Sequence, residues 1–383
     1  MTTTTRFDNT RHMIAATAPE EPVYCLSPTV LQNQVNHFVQ GFDGTVGYAV
    51  KANPTPEVIR ALRTAGVNTF DVASIAEVEL VRSIAPNATL LYDNPIKSRR
   101  EIQRAYSEYN VRSFALDDAI ELEKIASIIG EDPMLELTVR FKIADATAVY
   151  DLSTKFGADE AEAIALLRQV DSLNYKAALT FHPGSQCTDP ASYSNYINKA
   201  AEIVEKSGVN IQMLNVGGGF PTPYLEAKIP ELKAYFDAIN TSWQKGFKHQ
   251  DCILVCEPGR ALVDASVSIV TQVKHRRATP VVYLNDGVYG GFMEQAFSTI
   301  ELPLRTYRGD KEFTGPIQRF VAFGPTCDSI DKFGYELPLP DSIAEGDWIE
   351  FGLQGGYGSS TATQFNGFVS KDYVLVDEGF PQA

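Results

Sequence analysis

Short apolar runs alternate with longer amphipathic segments along the first two thirds of the chain. VGYAV is followed by PEVIRALRTAG, and TFDVAS is followed by IAEVELVRSIAP. The short runs have the length of buried strands, whereas the longer segments repeat apolar residues at helical spacing. The alternation continues through TLLYDN, SFALD, LELTVRFK, AALTFHP, QMLNVGGG and CILVCEPGR. About eight strand–helix units in this order predict a TIM-type (β/α)8 barrel of parallel strands.

The pattern changes near Val263. Beyond it, SVSIVTQVKHR, TPVVYLND, RFVAFGPTC and DWIEFGL are parted by Gly, Pro and Asp turns, without long helical segments between them. Strands joined directly by turns are typical of an antiparallel β domain. We therefore expect a barrel over residues 28–262 and a C-terminal β domain over residues 263–383. Residues 1–27 are interpreted as a leader and a strand, which could join the β domain.

Composition narrows the class of protein. A chain of 383 residues is long enough for two domains. The net charge of −15 argues against nucleic acid, whose binding needs Lys and Arg at the phosphates. The five cysteines include no CxxC pair and no zinc-type spacing, so neither a disulfide scaffold nor a bound metal is expected. Without a signal-like or membrane-spanning apolar stretch, we expect a cytoplasmic protein with no membrane partner.

Polar residues follow the apolar runs, where a parallel barrel carries its functional side chains. Lys51 ends the first run, and Glu257 and Arg260 follow the last one. Taken singly, each has an ordinary structural explanation, such as a lysine at a strand end or a structural ion pair. The other polar or glycine residues in such places are Asp71, Ser74, Arg140, His182, Ser185, Gly217, Gly218 and Gly219.

Together these residue types fit one cofactor. A desolvated lysine amine is what Schiff-base chemistry requires. A glycine run after a strand frees backbone N–H groups to approach a phosphate. A carboxylate such as Glu257 would keep a pyridine nitrogen protonated. The combination predicts a site for pyridoxal 5′-phosphate.

Eight motifs in order carry a family resemblance. YAVKAN, FDVAS, FHPGSQC, NVGGGFP, EPGR, NDGVYGGF, GPTCDSID and FNGF resemble the blocks of the ornithine/diaminopimelate/arginine decarboxylases of fold type III. The match runs from Lys51 to Phe368, and the GPTCDSID form is similar to the ornithine decarboxylase branch. The resemblance implies decarboxylation of a small cationic amino acid. L-Ornithine, giving putrescine, is the leading substrate, and L-lysine, giving cadaverine, is the second.

The resemblance also implies roles at the cofactor. Lys51 would bind it covalently, Glu257 would pair with its ring nitrogen, and His182 would stack on the ring. Asp71, Glu77 and Arg140 match positions that line the pocket and are given supporting roles. The residues expected to hold the phosphate are Gly217, Gly218, Gly219, Arg260, Ser185 and Tyr357.

Members of this family are usually head-to-tail homodimers with shared active sites. On that pattern Cys327 and Asp328 would enter the partner's site, Cys327 as the proton donor and Asp328 as the carboxylate facing the substrate's distal amine. Tyr289 is expected near the site. The chain departs from the pattern where a second aspartate is expected, because counting places Ser298 there. Glu294 is a candidate substitute, so arginine or another diamino acid stays open as the substrate.

Three alternative functions share parts of this pattern. An alanine racemase usually has arginine rather than glutamate at the pyridine nitrogen, which Glu257 argues against. A catalytically inactive regulator resembling the antizyme inhibitors would not need Lys51, Glu257, Arg260 and Cys327 intact. A single-domain cofactor carrier would lack the β domain that this chain contains.

Overall fold

The computed structural model describes residues 4–143, 155–224, 229–248, 251–297 and 301–381. The chain forms two compact units, here called the barrel unit and the sheet unit. The barrel unit consists of Val35–Thr222 and Lys228–Gly259. The sheet unit consists of Met1–Gln34, Pro223–Ala227 and Arg260–Ala383.

Strands and helices are numbered along the chain. The strands are β1 (Arg6–Phe7), β2 (Val23–Leu26), β3 (Thr45–Ala49), β4 (Thr69–Val72), β5 (Thr89–Tyr92), β6 (Ser113–Leu116), β7 (Glu136–Arg140), β8 (Lys176–Thr180), β9 (Ile211–Asn215), β10 (Ile253–Cys256), β11 (Val267–Arg276), β12 (Val281–Leu284), β13 (Leu304–Arg308), β14 (Lys311–Glu312), β15 (Ile317–Phe323), β16 (Leu337–Pro340), β17 (Trp348–Phe351) and β18 (Asp372–Val376). The helices are α1 (Thr10–Thr17), α2 (Pro28–Gly41), α3 (Pro56–Thr64), α4 (Ile75–Ile84), α5 (Arg99–Ser107), α6 (Ala119–Ile129), α7 (Glu160–Ser172), α8 (Ala191–Ser207), α9 (Leu232–Phe247) and α10 (Arg260–Val263).

The barrel unit contains the predicted barrel. Within the described residues, the eight strands β3 to β10 pair in parallel with their neighbours, and β10 closes the circle on β3. A helix follows each of β3 to β9 before the next strand begins. Apolar side chains from β5, β8, β9 and β10 meet in one cluster, as residues that fill a barrel interior do: Leu91, Ala178, Met213 and Val255. The predicted TIM-type fold is confirmed.

Short sequence signals fix where the barrel helices begin. Ser98 accepts a hydrogen bond from the Glu101 backbone N–H (3.2 Å), and the Glu101 side chain accepts one from the Ser98 N–H (2.9 Å). Asp159 and Glu162 form the same reciprocal capping box at the start of α7. Among the described residues, no helix combines the length and the hydropathy needed to cross a bilayer.

The sheet unit contains the predicted β domain, but its sheet is mixed rather than wholly antiparallel. β2 pairs antiparallel with β11 and parallel with β18, and β12 pairs parallel with β15. The N-terminal segment therefore contributes β2 to this sheet. It also contains α1, which the sequence pattern did not indicate because one helical turn of apolar residues is too short to show a period. Asn9 caps this helix, and Met13 and Ile14 are buried in the unit's core.

Lys97 provides a stability test for the barrel unit, because its side chain is fully buried. Its Nζ donates to the carbonyl oxygens of Asn94 (2.8 Å) and Ala115 (2.5 Å) and lies 3.3 Å from Glu121. Removing one member of a buried ion pair typically costs about 3–5 kcal/mol. We expect Lys97→Met to lower the unfolding free energy by about 3 kcal/mol, measured by urea denaturation.

Lys206 offers the matched control, since it pairs with Glu160 on an exposed surface. Lys206→Met should cost less than about 1 kcal/mol. Equal losses in the two variants would contradict a stabilising role for the buried cation.

Candidate active site

Lys51 and Asp71 lie side by side at the mouth of the barrel. Lys51 is in a single 3₁₀ turn, Val50–Ala52, that directly continues β3, and Asp71 is in the neighbouring strand β4. The Lys51 Nζ lies 3.6 Å from the Asp71 carboxylate. Burial raises the pKa of Asp71, while the charges of Lys51 and Arg140 oppose the rise. The lysine amine is therefore held against a buried carboxylate at the rim of the barrel.

Glu257 follows β10 directly and is buried. Burial first, then the nearby carboxylates of Asp93 and Asp71, raise its pKa well above the usual range. One oxygen each of Asp71, Asp93 and Glu257 lies within 4.8 Å of the others. Carboxylates this close need a positive partner, which can be a metal ion, a proton or a protonated ring nitrogen. Lys51 and Arg140 act on the same cluster and disfavour a divalent metal ion there.

His182 follows β8 in the loop that starts the FHPGSQC motif. The Gly184 N–H donates to its Nδ1 (3.0 Å), so the proton of a neutral ring is on Nε2. Burial and the charges of Lys51 and Arg140 lower the pKa of His182 well below its usual value. The ring is thus neutral and suited to stacking rather than to ion pairing. Ser185 lies half-buried in the same loop.

The glycine run after β9 has no room for side chains. Gly217 and Gly219 have positive φ angles of 67° and 92°. A Cβ at Gly217 would collide with the Phe181 carbonyl oxygen, and one at Gly218 would lie 2.7 Å from the Glu257 carbonyl oxygen. The loop is thus a backbone cradle of the kind that receives a phosphate.

Two observations test whether the barrel unit suits pyridoxal phosphate. The first is the glycine cradle. The second is Glu257, whose buried Oε1 has no hydrogen-bond partner among the described residues and could accept from a ring N–H. With Lys51 on the same rim, the donor set fits the cofactor's aldehyde, phosphate and ring nitrogen.

Arg260 and Tyr357 lie together in the sheet unit. The buried Arg260 guanidinium stacks over the Tyr357 ring at 4.7 Å and donates to the Tyr224 hydroxyl (2.8 Å). Both oxygens of Glu294 accept from the same guanidinium, at 2.5 and 2.8 Å. In this structure the Glu294 carboxylate therefore neutralises Arg260, so a role at the distal amine requires this ion pair to open. That role stays a prediction, and Ser298 lies outside the described residues.

Cys327 and Asp328 form a second cluster in the sheet unit with Tyr289. The Tyr289 hydroxyl donates to Asp328 (2.7 Å), and this bond lowers the pKa of Asp328. The exposed Cys327 Sγ lies 3.3 Å from the Asn366 side-chain oxygen. An ionised carboxylate and a free thiol are thus presented next to each other.

Sequence reasoning missed two residues that shape these clusters. Asp93 follows β5 in TLLYDN, so the rule that located Lys51 and Glu257 could have found it. Asp331 accepts from the backbone N–H of Val288 (2.9 Å) and from the N–H and hydroxyl of Thr326 (3.0 and 2.7 Å). It ties the Tyr289 loop to the Cys327 loop, and no spacing in the sequence indicates such a link.

Comparison with known proteins decides the family. Residues 29–264 match the family described as pyridoxal-dependent decarboxylase, pyridoxal binding domain. The chain belongs to the pyridoxal-dependent decarboxylase family. Its cofactor is pyridoxal 5′-phosphate, and two similar solved structures, 30% and 28% identical, are complexes with PLP.

Its relatives are decarboxylases of basic amino acids. The lysine/ornithine decarboxylase of Selenomonas ruminantium is 33% identical over 87% of this chain and 84% of its own length. The ornithine decarboxylase of Panagrellus redivivus is 32% identical over 86% of this chain and 80% of its own length. Both names specify decarboxylation, but they differ in the amino acids that they give as substrates.

Solved structures of two such enzymes match nearly the whole chain. The Paramecium bursaria Chlorella virus arginine decarboxylase bound to agmatine has a TM-score of 0.85 at 25% identity, covering 95% of this chain and 98% of that one. The Vibrio vulnificus lysine/ornithine decarboxylase complexed with putrescine has a TM-score of 0.83 at 29% identity, covering 96% and 98%. This chain is therefore a pyridoxal-phosphate-dependent decarboxylase.

Alanine substitutions at two glycines test the cradle. Gly217 and Gly208 have nearly the same φ, 67° and 71°, but a Cβ at Gly208 meets nothing within 4 Å. Each variant should lose about 1 kcal/mol from left-handed backbone strain. Only Gly217→Ala should also weaken pyridoxal-phosphate binding, by at least roughly tenfold, since it displaces the loop. Cofactor titration followed by absorbance measures this, and equal affinities in both variants would contradict the cradle.

Proposed function

We propose that this enzyme decarboxylates L-ornithine to putrescine, with L-lysine to cadaverine as its second reaction. The observation that carries the proposal is Asp328, a carboxylate kept ionised by the Tyr289 hydroxyl. Such a group selects a cationic side-chain end, because an apolar analogue would leave it without a partner. The relatives named as lysine/ornithine and ornithine decarboxylases support this choice.

Within the proposal, each residue has a task at the cofactor or the substrate. Bound pyridoxal phosphate supplies an electron sink for the charge left when carbon dioxide departs. Lys51 would bind the cofactor, Glu257 would hold a proton at the ring nitrogen, and the neutral His182 would lie against the ring. Asp71 balances the charge of Lys51, and Arg140 adds a second positive charge beside the carboxylates. The residues that would hold the phosphate are Gly217, Gly218, Gly219, Ser185, Arg260 and Tyr357.

We further infer a homodimer in which Cys327 and Asp328 serve the partner's site. Cys327 would donate the proton that the substrate's α-carbon receives, and Asp328 would bind the distal amine. Both belong to an exposed surface that also carries large apolar side chains, as interfaces do. Those side chains are Ile330, Phe365 and Phe368, which are 64%, 40% and 42% exposed.

A reducing, cytoplasmic location fits the same proposal, because each cysteine is a free thiol. The alternative of an inactive regulator of the antizyme-inhibitor kind is disfavoured. It would have no use for the ionised Asp328 or for the Lys51–Asp71 pair.

Carbon dioxide release tests the substrate. The cofactor-loaded protein would be assayed with L-ornithine, L-lysine, L-arginine and meso-diaminopimelate, with Lys51→Ala as the blank. We expect turnover of ornithine first and lysine second, and none in the blank. Turnover of arginine or diaminopimelate alone would contradict the proposed substrate. No turnover with any of the four, in protein that has bound the cofactor, would mean that the substrate is another amino acid.

Asp328→Asn separates recognition from chemistry. Loss of the charge should raise KM for ornithine at least roughly tenfold, since a charge-assisted hydrogen bond is lost, and should change kcat less. Cys327→Ala is the matched comparison, because loss of the proton donor should lower kcat with little change in KM. Steady-state kinetics measure both, and an unchanged KM in Asp328→Asn would remove Asp328 from the substrate site.

A further inference from the structure

Asp93 lies directly after β5 in the barrel unit and has no task in the proposed reaction. Its Oδ2 accepts a hydrogen bond from the Asn215 side-chain amide (2.9 Å). Its Oδ1 and the Oε1 of Glu257 are both buried without a hydrogen-bond donor among the described residues. The two carboxyl groups are within hydrogen-bond reach of each other. Two carboxylate oxygens can bond only if one of them carries a proton.

The negative charge of the surrounding carboxylates also favours a bound proton. Asp71 is the third carboxylate, and its oxygen lies within 4.8 Å of the other two. Arg140 and Lys51 act on Asp93 as positive charges, and the Lys51 amine is 3.6 Å from Asp71. Lys97 acts on Asp93 as well, but it already pairs with Glu121. Negative charge is therefore in excess at the three carboxylates, and one shared proton reduces it.

We propose that Asp93 and Glu257 share one proton in the cofactor-free protein and together face the ring nitrogen of pyridoxal phosphate. The inference rests on the proposed function only in taking Glu257 as the partner of that nitrogen. When the cofactor binds, the O–H bond of the pair breaks, and the lone pair of the ring nitrogen takes the proton. Both carboxylates are then ionised around the N–H cation, and the net charge of the pocket does not change.

The titration behaviour of the pair agrees with this arrangement. Burial, then the charge of Asp71, raises the pKa of Asp93 to about 6. The pKa of Glu257 is raised further from its usual value by burial and by Asp93. A proton is therefore retained by the pair under conditions where exposed carboxyl groups have lost theirs.

A purely structural role for Asp93 makes a different prediction. Asn215 also accepts a hydrogen bond from the Gly217 N–H (2.9 Å), so Asp93 could act only by steadying the glycine cradle through Asn215. Asp93→Asn keeps an acceptor for the Asn215 amide but removes the carboxylate. Asn215→Ala removes the structural link but keeps the carboxylate. The two variants therefore separate the roles.

The deciding experiment compares two cofactors. Dissociation constants would be measured for pyridoxal 5′-phosphate and for its 1-deaza analogue, whose ring carries CH in place of nitrogen. In Asp93→Asn we expect affinity for pyridoxal phosphate to fall roughly tenfold while the deaza analogue binds as before, since one charge-assisted hydrogen bond partner is gone. In Asn215→Ala the deaza analogue should weaken as well, because the glycine cradle loosens whichever ring atom faces the carboxylates. Equal loss of both cofactors in Asp93→Asn, or no loss of either, would overturn the proposal.

These binding measurements need no amino-acid substrate. A protein that discriminates the two cofactors as expected but decarboxylates none of the tested amino acids contradicts the proposed function alone. Turnover of ornithine or lysine with unaltered discrimination in Asp93→Asn contradicts the inference alone.

Discussion

The crowding of three carboxylates at one end of a closed barrel is the constraint on which the site depends. Closure of β10 on β3 brings strand ends that are far apart in the chain onto one rim. Asp71, Asp93 and Glu257 come from three different strand ends and cannot move apart without opening the barrel. Their repulsion must be compensated locally, by Lys51, by Arg140 and by protons. The pocket is thereby matched to a ligand that brings a basic ring nitrogen and an aldehyde for the lysine.

In the sheet unit, the charged groups of the candidate site are Arg260 and Asp328. Arg260 is buried, and its charge is met by Glu294 and by the Tyr224 hydroxyl. Asp328 stays close to solvent and accepts hydrogen bonds from the Tyr289 hydroxyl and the Ile330 N–H. The Glu294 carboxylate is thus already paired with Arg260, whereas the Asp328 carboxylate remains available to a cation from solution.

Most of the fold and part of the site could be predicted from the sequence. The strands of the barrel could be recognised because each is a short apolar run followed by a segment with helical spacing of apolar residues. The rule that functional side chains follow such strands then located Lys51 and Glu257. The helix α1 was missed because one turn of apolar residues has no period. The pairing of Glu294 with Arg260 could not be predicted, since 34 residues separate them and no motif relates the two. Asp93 was within reach of the same rule, but a lone aspartate after a strand resembles an ordinary turn residue.

Asp331 joins two loops of the sheet unit. Its buried carboxylate fastens the backbone beside Tyr289 and the backbone before Cys327. The loop of Tyr289 and the loop of Cys327 are therefore held by the same carboxylate and cannot move independently. Gly287 and Gly324 lie so close to that carboxylate that any side chain there would collide with it. These three positions are accordingly coupled by direct contact, and a change at one of them would displace both loops together.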